Sequence, residues 1–383
     1  MMPMTMEVLE GSRAVSETVR LCKPDVISAY PITPQTHIVE DLAKLSADGK
    51  IKAKFLEVES EFSAMSSMVG ANAAGSRVFT ATSSQGLALM HEVLFAASGM
   101  RLPIVMVVAN RALSAPINIW NDHSDAMAER DSGWIQLYTE NVQETVDTLI
   151  QAYKIAEKIL LPVMICMDGF ILTHVMEPVD IPEQKDVDEI LPKYKPDHAV
   201  LDTERPMTLG PFAYPEPYFD LKKEMEDAIQ DSKEVISEAN EEFAKKFKRE
   251  YGDGLIEEYR NDKDIVIVAL GSVCGTIKEV VDKRKDVGLV RIKCFRPFPT
   301  EELIKVLKGK KTIIVLEKAF AYGLGTGPVF AEIRNALYPF VEKSKFINVI
   351  AGLGGVDIRV TQINDVVEKS KQMKDGEVVW MKN

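Results

Sequence analysis

The sequence predicts an α/β protein with two parallel-sheet domains, and three observations carry that prediction. Short apolar runs alternate with helical patterns from residue 25 to 175 and again from about 261 onward, the signature of strands joined by crossover helices. The length of 383 residues exceeds what a single hydrophobic core usually serves. A proline-rich stretch followed by a heavily charged helical pattern separates the two alternating regions. The expected organisation is a first domain over 1–180, a connector and charged helix over 181–260, and a second domain over 261–383.

In the first region the expected strands are 26–29, 53–58, 78–82, 104–109 and 162–167, each followed by turn residues. Helical periodicity follows over about 36–46, 61–74, 87–98 and 145–160. Between Pro178 and Pro217 lie eight of the nineteen prolines, so this part reads as an extended connector over a surface. Residues 221–251 carry apolar side chains at helical spacing on a charged background, a solvated helix with one packed stripe. The runs "DIVIVALGS", "VGLVRIKCF", "KTIIVLEKA" and "FINVIAGLGG" are the strands of the second region, with helices over 276–283, 300–308 and 328–337 between them.

Composition narrows the function. Hydrophobic residues at 46% and charged residues at 27% are ordinary for a globular chain. The longest apolar runs, 102–109 and 159–167, fall far short of the roughly 20 residues that span a bilayer, so no membrane segment is expected. The N-terminal "MMPMTMEVLEGSR" has no basic-then-apolar export pattern, which makes the cytoplasm the expected location. Cys22, Cys166, Cys274 and Cys294 form no Cys-x-x-Cys pair, so neither a zinc site, an iron–sulfur cluster nor a disulfide framework is expected on this chain. A net charge of −12 disfavours nucleic acid and direct docking of an acidic carrier.

Three stretches carry candidate chemistry. In "AYPITPQTH", Thr33 before Pro34 reads as the cap of a helix with proline at its first position. That helix start also follows a strand, where a parallel sheet opens its ligand crevice and free N–H groups suit a carboxylate. In "FLEVESEFSAMSSMVGANAAG", Glu57, Glu59 and Glu61 lead into a helix of small residues. An acid in a first turn complements the helix dipole; one held at an apolar interface would also have its proton affinity raised, as proton transfer requires. The small residues fit close packing against another surface, which could be a subunit interface. Arg111 follows the strand "PIVMVVA", at an edge where its guanidinium can grip a carboxylate or join a structural ion pair. Ser84 in "TATSSQGLALMHE" either caps a helix or offers a hydroxyl to a ligand, His91 reads as a surface or satisfied histidine, and "NIWNDHSD" reads as a polar loop around Asp122, His123 and Asp125.

Taken together, "AYPITPQT", "VESEFSAMSSMVGANAAG", "FTATSSQGLALMHEVLFAASGMRLPIVMVVANRALSAPINIWNDHSDAMAERDSGWIQ" and "VMICMDGFILTH" resemble the alpha subunits of multisubunit pyruvate:ferredoxin oxidoreductases. The resemblance covers most of residues 10–180 and, more loosely, "GSVCGTIKEVVD", "CFRPFP", "VLEKA" and "AGLGG". It implies a thiamine-diphosphate pyrimidine-type domain followed by a transketolase-C-like domain, acting in oxidative decarboxylation of a 2-oxoacid with transfer to coenzyme A and electrons passed to ferredoxin. It implies that Glu61 contacts the cofactor's aminopyrimidine ring nitrogen and that Thr33 and Arg111 receive the 2-oxoacid.

Enzymes of this kind hold the diphosphate through Mg²⁺ on a Gly-Asp-Gly motif with a downstream Asn. Here the only such triplet is Gly252-Asp253-Gly254, in a charged connector, and Asp168-Gly169 lacks the first glycine. The resemblance therefore implies a beta subunit carrying the diphosphate and Mg²⁺, with gamma and delta subunits for [4Fe-4S] clusters and ferredoxin. Val356 after "GLGG", and Ala319 and Ala321 after "VLEK", depart from the family pattern. Relatives acting on branched-chain substrates such as 2-oxoisovalerate share Thr33, Glu61 and Arg111, so those residues do not name the substrate; "SAPINIWND" leans toward pyruvate. A non-catalytic scaffold of the same fold is the third possibility.

Overall fold

The computed structural model describes residues 6–196, 200–340 and 344–382. A seven-stranded sheet runs in the spatial order Cys294–Arg296, Ile135–Tyr138, Val163–Asp168, Val105–Asn110, Val78–Thr82, Val26–Ser28, Lys54–Leu56. All its neighbours are parallel except Cys294–Arg296, which pairs antiparallel with Ile135–Tyr138. Every residue of the three strands 78–82, 105–110 and 163–168 is buried. Helices on both faces explain why these segments read as continuous rather than alternating apolar runs.

A six-stranded sheet follows in the order Glu377–Met381, Lys345–Ala351, Thr312–Glu317, Ile265–Ala269, Val287–Ile292, Ile256–Tyr259. It is parallel but for Ile256–Tyr259. The α/β class with two mostly parallel sheets is thus the observed architecture. The stretch "VGLVRIKCF", expected as one strand, instead serves both sheets: 287–292 lies in the second and 294–296 crosses to the edge of the first. Met6–Glu10 pairs antiparallel with Met176–Asp180 in a separate ribbon. No helix among the described residues is long and apolar enough to cross a membrane.

The expected helix over 87–98 is two, Ser84–Leu89 and His91–Gly99, meeting at Met90. The charged helix is longer than its periodicity suggested, Pro215–Phe247, with proline in its first turn and Lys248 ending it in the left-handed conformation. Ala228, Val235, Ile236, Ala239 and Phe243 form its packed stripe and join the core that includes Leu149, Ile150 and Tyr153 of the Val142–Ile159 helix. Several elements had no sequence expectation: in the first region the Met6–Glu10, Ile135–Tyr138 and Met176–Asp180 strands with the Gly11–Cys22 and Ser124–Ala128 helices, in the expected extended connector the Gln184–Ile190 helix, and later the Ile256–Tyr259 and Glu377–Met381 strands with the Val360–Ser370 helix.

The strand order reverses twice in a way that positions ligand crevices. In the first sheet the chain leaves strand 26–28 for 54–56 on one side, then returns to 78–82 on the other. In the second it leaves 265–269 for 287–292, then returns to 312–317. The carboxyl ends of strands at such a reversal are where open α/β sheets bind ligands.

Candidate active site

Glu61 sits at the start of the Glu61–Ala73 helix, which Ser60 caps by accepting the Ser63 amide at 3.2 Å. Of the three acids read in sequence, Glu57 and Glu59 are exposed and Glu61 is only 6% exposed. Its carboxylate receives no hydrogen bond from another described residue, and burial raises its proton affinity above the ordinary glutamate value. It lies against Gly86: a Cβ there would come within 2.6 Å of Glu61 Oε1 and 2.5 Å of Thr82 Oγ1. Glycine is therefore required where the segment after strand 78–82 passes the acid.

Two further polar groups at this strand end lack partners. Thr82 Oγ1 is buried and unpaired, as is one end of the Gln85 amide. Ser84 Oγ lies 2.6 Å from Ala112 O and 2.7 Å from the Gln85 amide. Gln85 meets Ser84 through Oε1, and its Nε2 is the end left without a partner. Unsatisfied buried polar groups beside an unpaired acid are what a site for a polar heterocycle presents. Their donor and acceptor chemistry fits an aminopyrimidine.

Thr33 does not cap a helix, contrary to the sequence expectation. Thr33, Pro34 and Gln35 form a turn, the helix spans Thr36–Ala47, and its cap position is Gln35 in a helical conformation. The reason is tertiary: Gln35 Nε2 donates to Ala81 O at 2.6 Å, tying the turn to the neighbouring strand. Thr33 is exposed, and its carbonyl accepts Arg111 Nη1 at 2.9 Å. Ser84 likewise is no cap; it is the first residue of its helix, held at φ +47°.

Arg111 is 5% exposed, with Nε bonded to Asn118 O at 2.9 Å and Nη1 to Thr33 O. Nη2 has no partner among the described residues. Its backbone is fixed by Asp125, which accepts from Arg111 N, Ser84 N, Asn110 Nδ2 and Ala126 N at 2.8–3.0 Å. One buried carboxylate thus joins the loops after strands 78–82 and 105–110. Burial pushes its pKa up to about 6 despite those four donors. Read as part of a local polar loop, Asp125 is instead the tie between the two loops that carry Ser84 and Arg111.

The loop 118–125 also reaches the second sheet. His123 Nε2 is 2.6 Å from Asp168 Oδ1, and Lys318 Nζ donates to Asp168 Oδ2 at 2.7 Å and to Asn121 Oδ1 at 2.9 Å. Ser272 donates to the same Asp168 oxygen. Asn118 Nδ2 donates to Gly354 O and Gly354 N to Asp122 Oδ2, both at 3.1 Å. Asn121, Ser272 and Lys318 line a cleft of about 700 Å³ between the sheets, together with Trp120, Phe170, Ile171 and the glycines 352, 354 and 355. Asp253, in the Gly-Asp-Gly triplet, has its carboxylate committed to the amides of Leu255 and Ile256 at 2.8 and 2.7 Å. Its place is a turn ahead of strand 256–259.

The Glu61–Ala73 helix and its C-cap Ala74 expose Phe62, Ser66, Gly70 and Ala74, one stripe at four-residue spacing, and the adjoining helices expose Ala88, Leu89, Phe95, Ala96 and Gly99 beside the polar His91 and Glu92. A Cβ at Gly70 or Gly99 would meet nothing within 4 Å. Glu61 thus begins the helix that carries this stripe of small and apolar residues.

Comparison with known proteins shows the family. The family model described as "pyruvate flavodoxin/ferredoxin oxidoreductase, thiamine diP-bdg" matches residues 17–241, and "pyruvate:ferredoxin oxidoreductase core domain II" matches 263–363. The chain is 53% identical over 382 residues to pyruvate synthase subunit PorA of Methanocaldococcus jannaschii, covering 98% of this chain and 97% of that one. It is 47% identical to the Thermotoga maritima subunit of the same name, covering 94% and 92%. A ketoisovalerate oxidoreductase subunit VorA from Pyrococcus abyssi is 41% identical, covering 98% and 97%. Among solved structures, the 2-oxoglutarate:ferredoxin oxidoreductase of Magnetococcus marinus superposes with a TM-score of 0.71 at 20% identity, over 97% of this chain and 66% of that one, a likeness of fold. On the strength of both family models and of near-full-length relatives, the chain belongs to the pyruvate:ferredoxin oxidoreductase family.

Proposed function

We propose that this chain is the alpha subunit of a pyruvate synthase, acting in the reversible thiamine-diphosphate-dependent oxidative decarboxylation of pyruvate to acetyl-CoA and CO₂, with electrons passed to ferredoxin. The observation that carries the site assignment is Glu61: a buried, unpaired carboxyl with raised proton affinity, at a sheet reversal, beginning the helix that carries the stripe of small and apolar residues.

Thiamine diphosphate, when bound, supplies the carbon nucleophile and the electron sink for decarboxylation. Glu61 exchanges a proton with the aminopyrimidine ring nitrogen, a task suited by an acid whose surroundings disfavour the charged form. Thr82 and the unpaired Gln85 Nε2 would face the same ring. Arg111, held by Asp125 and Asn118, directs its free Nη2 at the 2-oxoacid carboxylate, and Thr33, pinned through its carbonyl to Arg111, adds its exposed hydroxyl. A beta subunit seated on the face of Phe62, Ser66 and Gly70 would carry the diphosphate and Mg²⁺ and exclude water from Glu61. Clusters and ferredoxin docking fall to further subunits, and coenzyme A enters as co-substrate.

The substrate choice rests on the relatives: subunits named for pyruvate synthase reach 53% identity, the ketoisovalerate one 41%. The assembled enzyme should therefore show a larger kcat/KM for pyruvate than for 2-oxoisovalerate. The reverse ratio would assign the branched-chain activity, and no turnover of either would favour the scaffold reading.

A further inference from the structure

We infer that Glu10, His37 and His174 form a binding site for a divalent transition-metal cation, with zinc the cation that their ligand set suits best. The three residues come from distant parts of the chain: the end of the Met6–Glu10 strand, the first turn of the Thr36–Ala47 helix, and the loop after strand Val163–Asp168. One ligand atom from each lies within 4.8 Å of the other two. Two imidazoles and one carboxylate are the donor set of open, three-ligand zinc sites, which leave a fourth position for water or another ligand.

The scaffold beneath these ligands is built rather than incidental. Gly11 N donates to Val175 O at 3.1 Å and Ser12 N to Thr173 O at 2.9 Å, so the backbone after Glu10 is locked to the backbone around His174. Ser12 Oγ adds a second bond to Thr173 O at 2.9 Å. Gly11 is needed there, since a Cβ would overlap Leu172 O. His174 Nδ1 lies 2.7 Å from the hydroxyl of buried Thr173. With the proton on Nδ1, that contact presents the Nε2 lone pair outward, the orienting partner that metal-ligating histidines ordinarily have. The His174 ring is held between His37 and Phe170, each at a centroid distance of 4.7 Å. Glu40 and Asp41, on the helix that carries His37, add negative charge near its imidazole.

Without a cation, His37 Nδ1 and Glu10 Oε1 share a proton at 2.6 Å. A cation would replace that proton and bond both atoms. Zinc bonds of about 2.0–2.2 Å place ligand atoms about 3.4 Å apart, a spacing that rotation of the half-exposed Glu10 and His37 side chains can reach. The four cysteines are buried and do not compete in the folded chain.

The test is calorimetric titration of zinc into the full-length chain after removal of metal by chelator, beside the H37Q and E10Q variants, both changed at partly exposed positions. The expected result is one equivalent bound by the wild type, a zinc-dependent rise in its melting temperature, and at least tenfold weaker binding in each variant with the metal-free melting temperature kept. Absence of saturable binding in the wild type, or equal binding in either variant, would overturn the site. Neither readout depends on catalysis, so the result stands apart from the role proposed for Glu61.

Discussion

Glu61 and Arg111 differ in how they are held, and the difference sets what their variants should do. Glu61 has no hydrogen-bond partner from another described residue and is buried, so its ionised form is disfavoured in the folded chain. Glu61→Gln keeps the shape and removes the proton exchange; kcat of the assembled enzyme should fall by about 10²–10⁴-fold, the usual worth of general acid–base catalysis, while the subunits still co-purify. Wild-type turnover in that variant would remove Glu61 from the mechanism. The same raised pKa has a stability consequence. A carboxyl whose folded pKa lies above its unfolded value favours the folded state fully below the unfolded pKa, and that contribution is lost as pH rises through the folded pKa. Glu61→Gln should therefore raise the melting temperature of the isolated chain more at pH 8 than at pH 4, a comparison that differential scanning calorimetry makes directly. Arg111, by contrast, spends Nε and Nη1 on the loop carbonyls Asn118 O and Thr33 O. Arg111→Lys replaces a planar fork by a point charge and should raise KM for the 2-oxoacid by a factor worth roughly 1–3 kcal/mol. An unchanged KM would leave Arg111 as a tie between loops.

At the scale of the element, the Glu61–Ala73 helix divides its residues by destination. Ala64, Met65, Met68 and Ala73 are buried in the core, while Phe62, Ser66, Gly70 and the C-cap Ala74 face outward. Small residues on an outward face let another backbone approach closely, and a glycine in a helix interior costs roughly 0.5–1 kcal/mol relative to alanine. Gly70 carries that cost in open space, which fits the partner proposed to pack on this face. Gly70→Trp should leave the melting temperature of the isolated chain within a few degrees of wild type yet abolish co-purification with the beta subunit proposed to pack there. Retention of the intact complex in that variant would place the interface elsewhere.

At the scale of the molecule, two buried ionic clusters hold the sheets together. In one, Asp168 meets His123 and Lys318 across the cleft. Burial alone would raise its carboxyl, but the Lys318 ammonium and His123 outweigh it and hold Asp168 far below the ordinary range. In the other, Arg291 bridges Glu140, Glu144 and Glu257, joined by Lys293. Burial again opposes ionisation, yet Arg291 and Lys293 lower Glu144 to about 2. Removing one member of a buried pair costs about 3–5 kcal/mol, because the other charge remains uncompensated; Lys318→Met should show a loss of that size in denaturant unfolding. For a carboxyl depressed on folding, the stabilisation is present above the unfolded pKa and lost as pH falls through the folded one. Wild-type stability should thus decline below about pH 4, the ordinary range of a free carboxylate, and the Asp168→Asn variant should decline less steeply there. Equal acid sensitivity of the two chains would contradict the assignment.

Much of this was written in local pattern. The buried strands 78–82, 105–110 and 163–168 stood out because burial on both faces demands unbroken apolar runs. The Pro328–Leu337 helix stood out because proline starts a helix without losing a hydrogen bond. Glu61, Thr33 and Arg111 were legible as residues at strand ends, and their resemblance to one family was strong before any coordinates. What local pattern could not hold was anything set by groups far apart in the chain. Thr33 looked like a cap, but the bond from Gln35 to Ala81 moved the helix start. Cys294–Arg296 continued an apolar run, but the free edge beside Ile135–Tyr138 took it into the other sheet. Asp125 looked like the polarity of a local loop and proved to be a tie between two loops, while Asp168 and Lys318, for which local pattern held no structural role, tie the sheets. By itself the sequence determined the class of fold and the family and pointed to Glu61 as a candidate acid, because periodicity, capping and motif are properties of neighbouring residues. The tertiary structure alone decided which of those residues share a crevice, which carboxylates are ionised and where a cation could bind, because burial and charge pairing depend on groups brought together only when the chain folds.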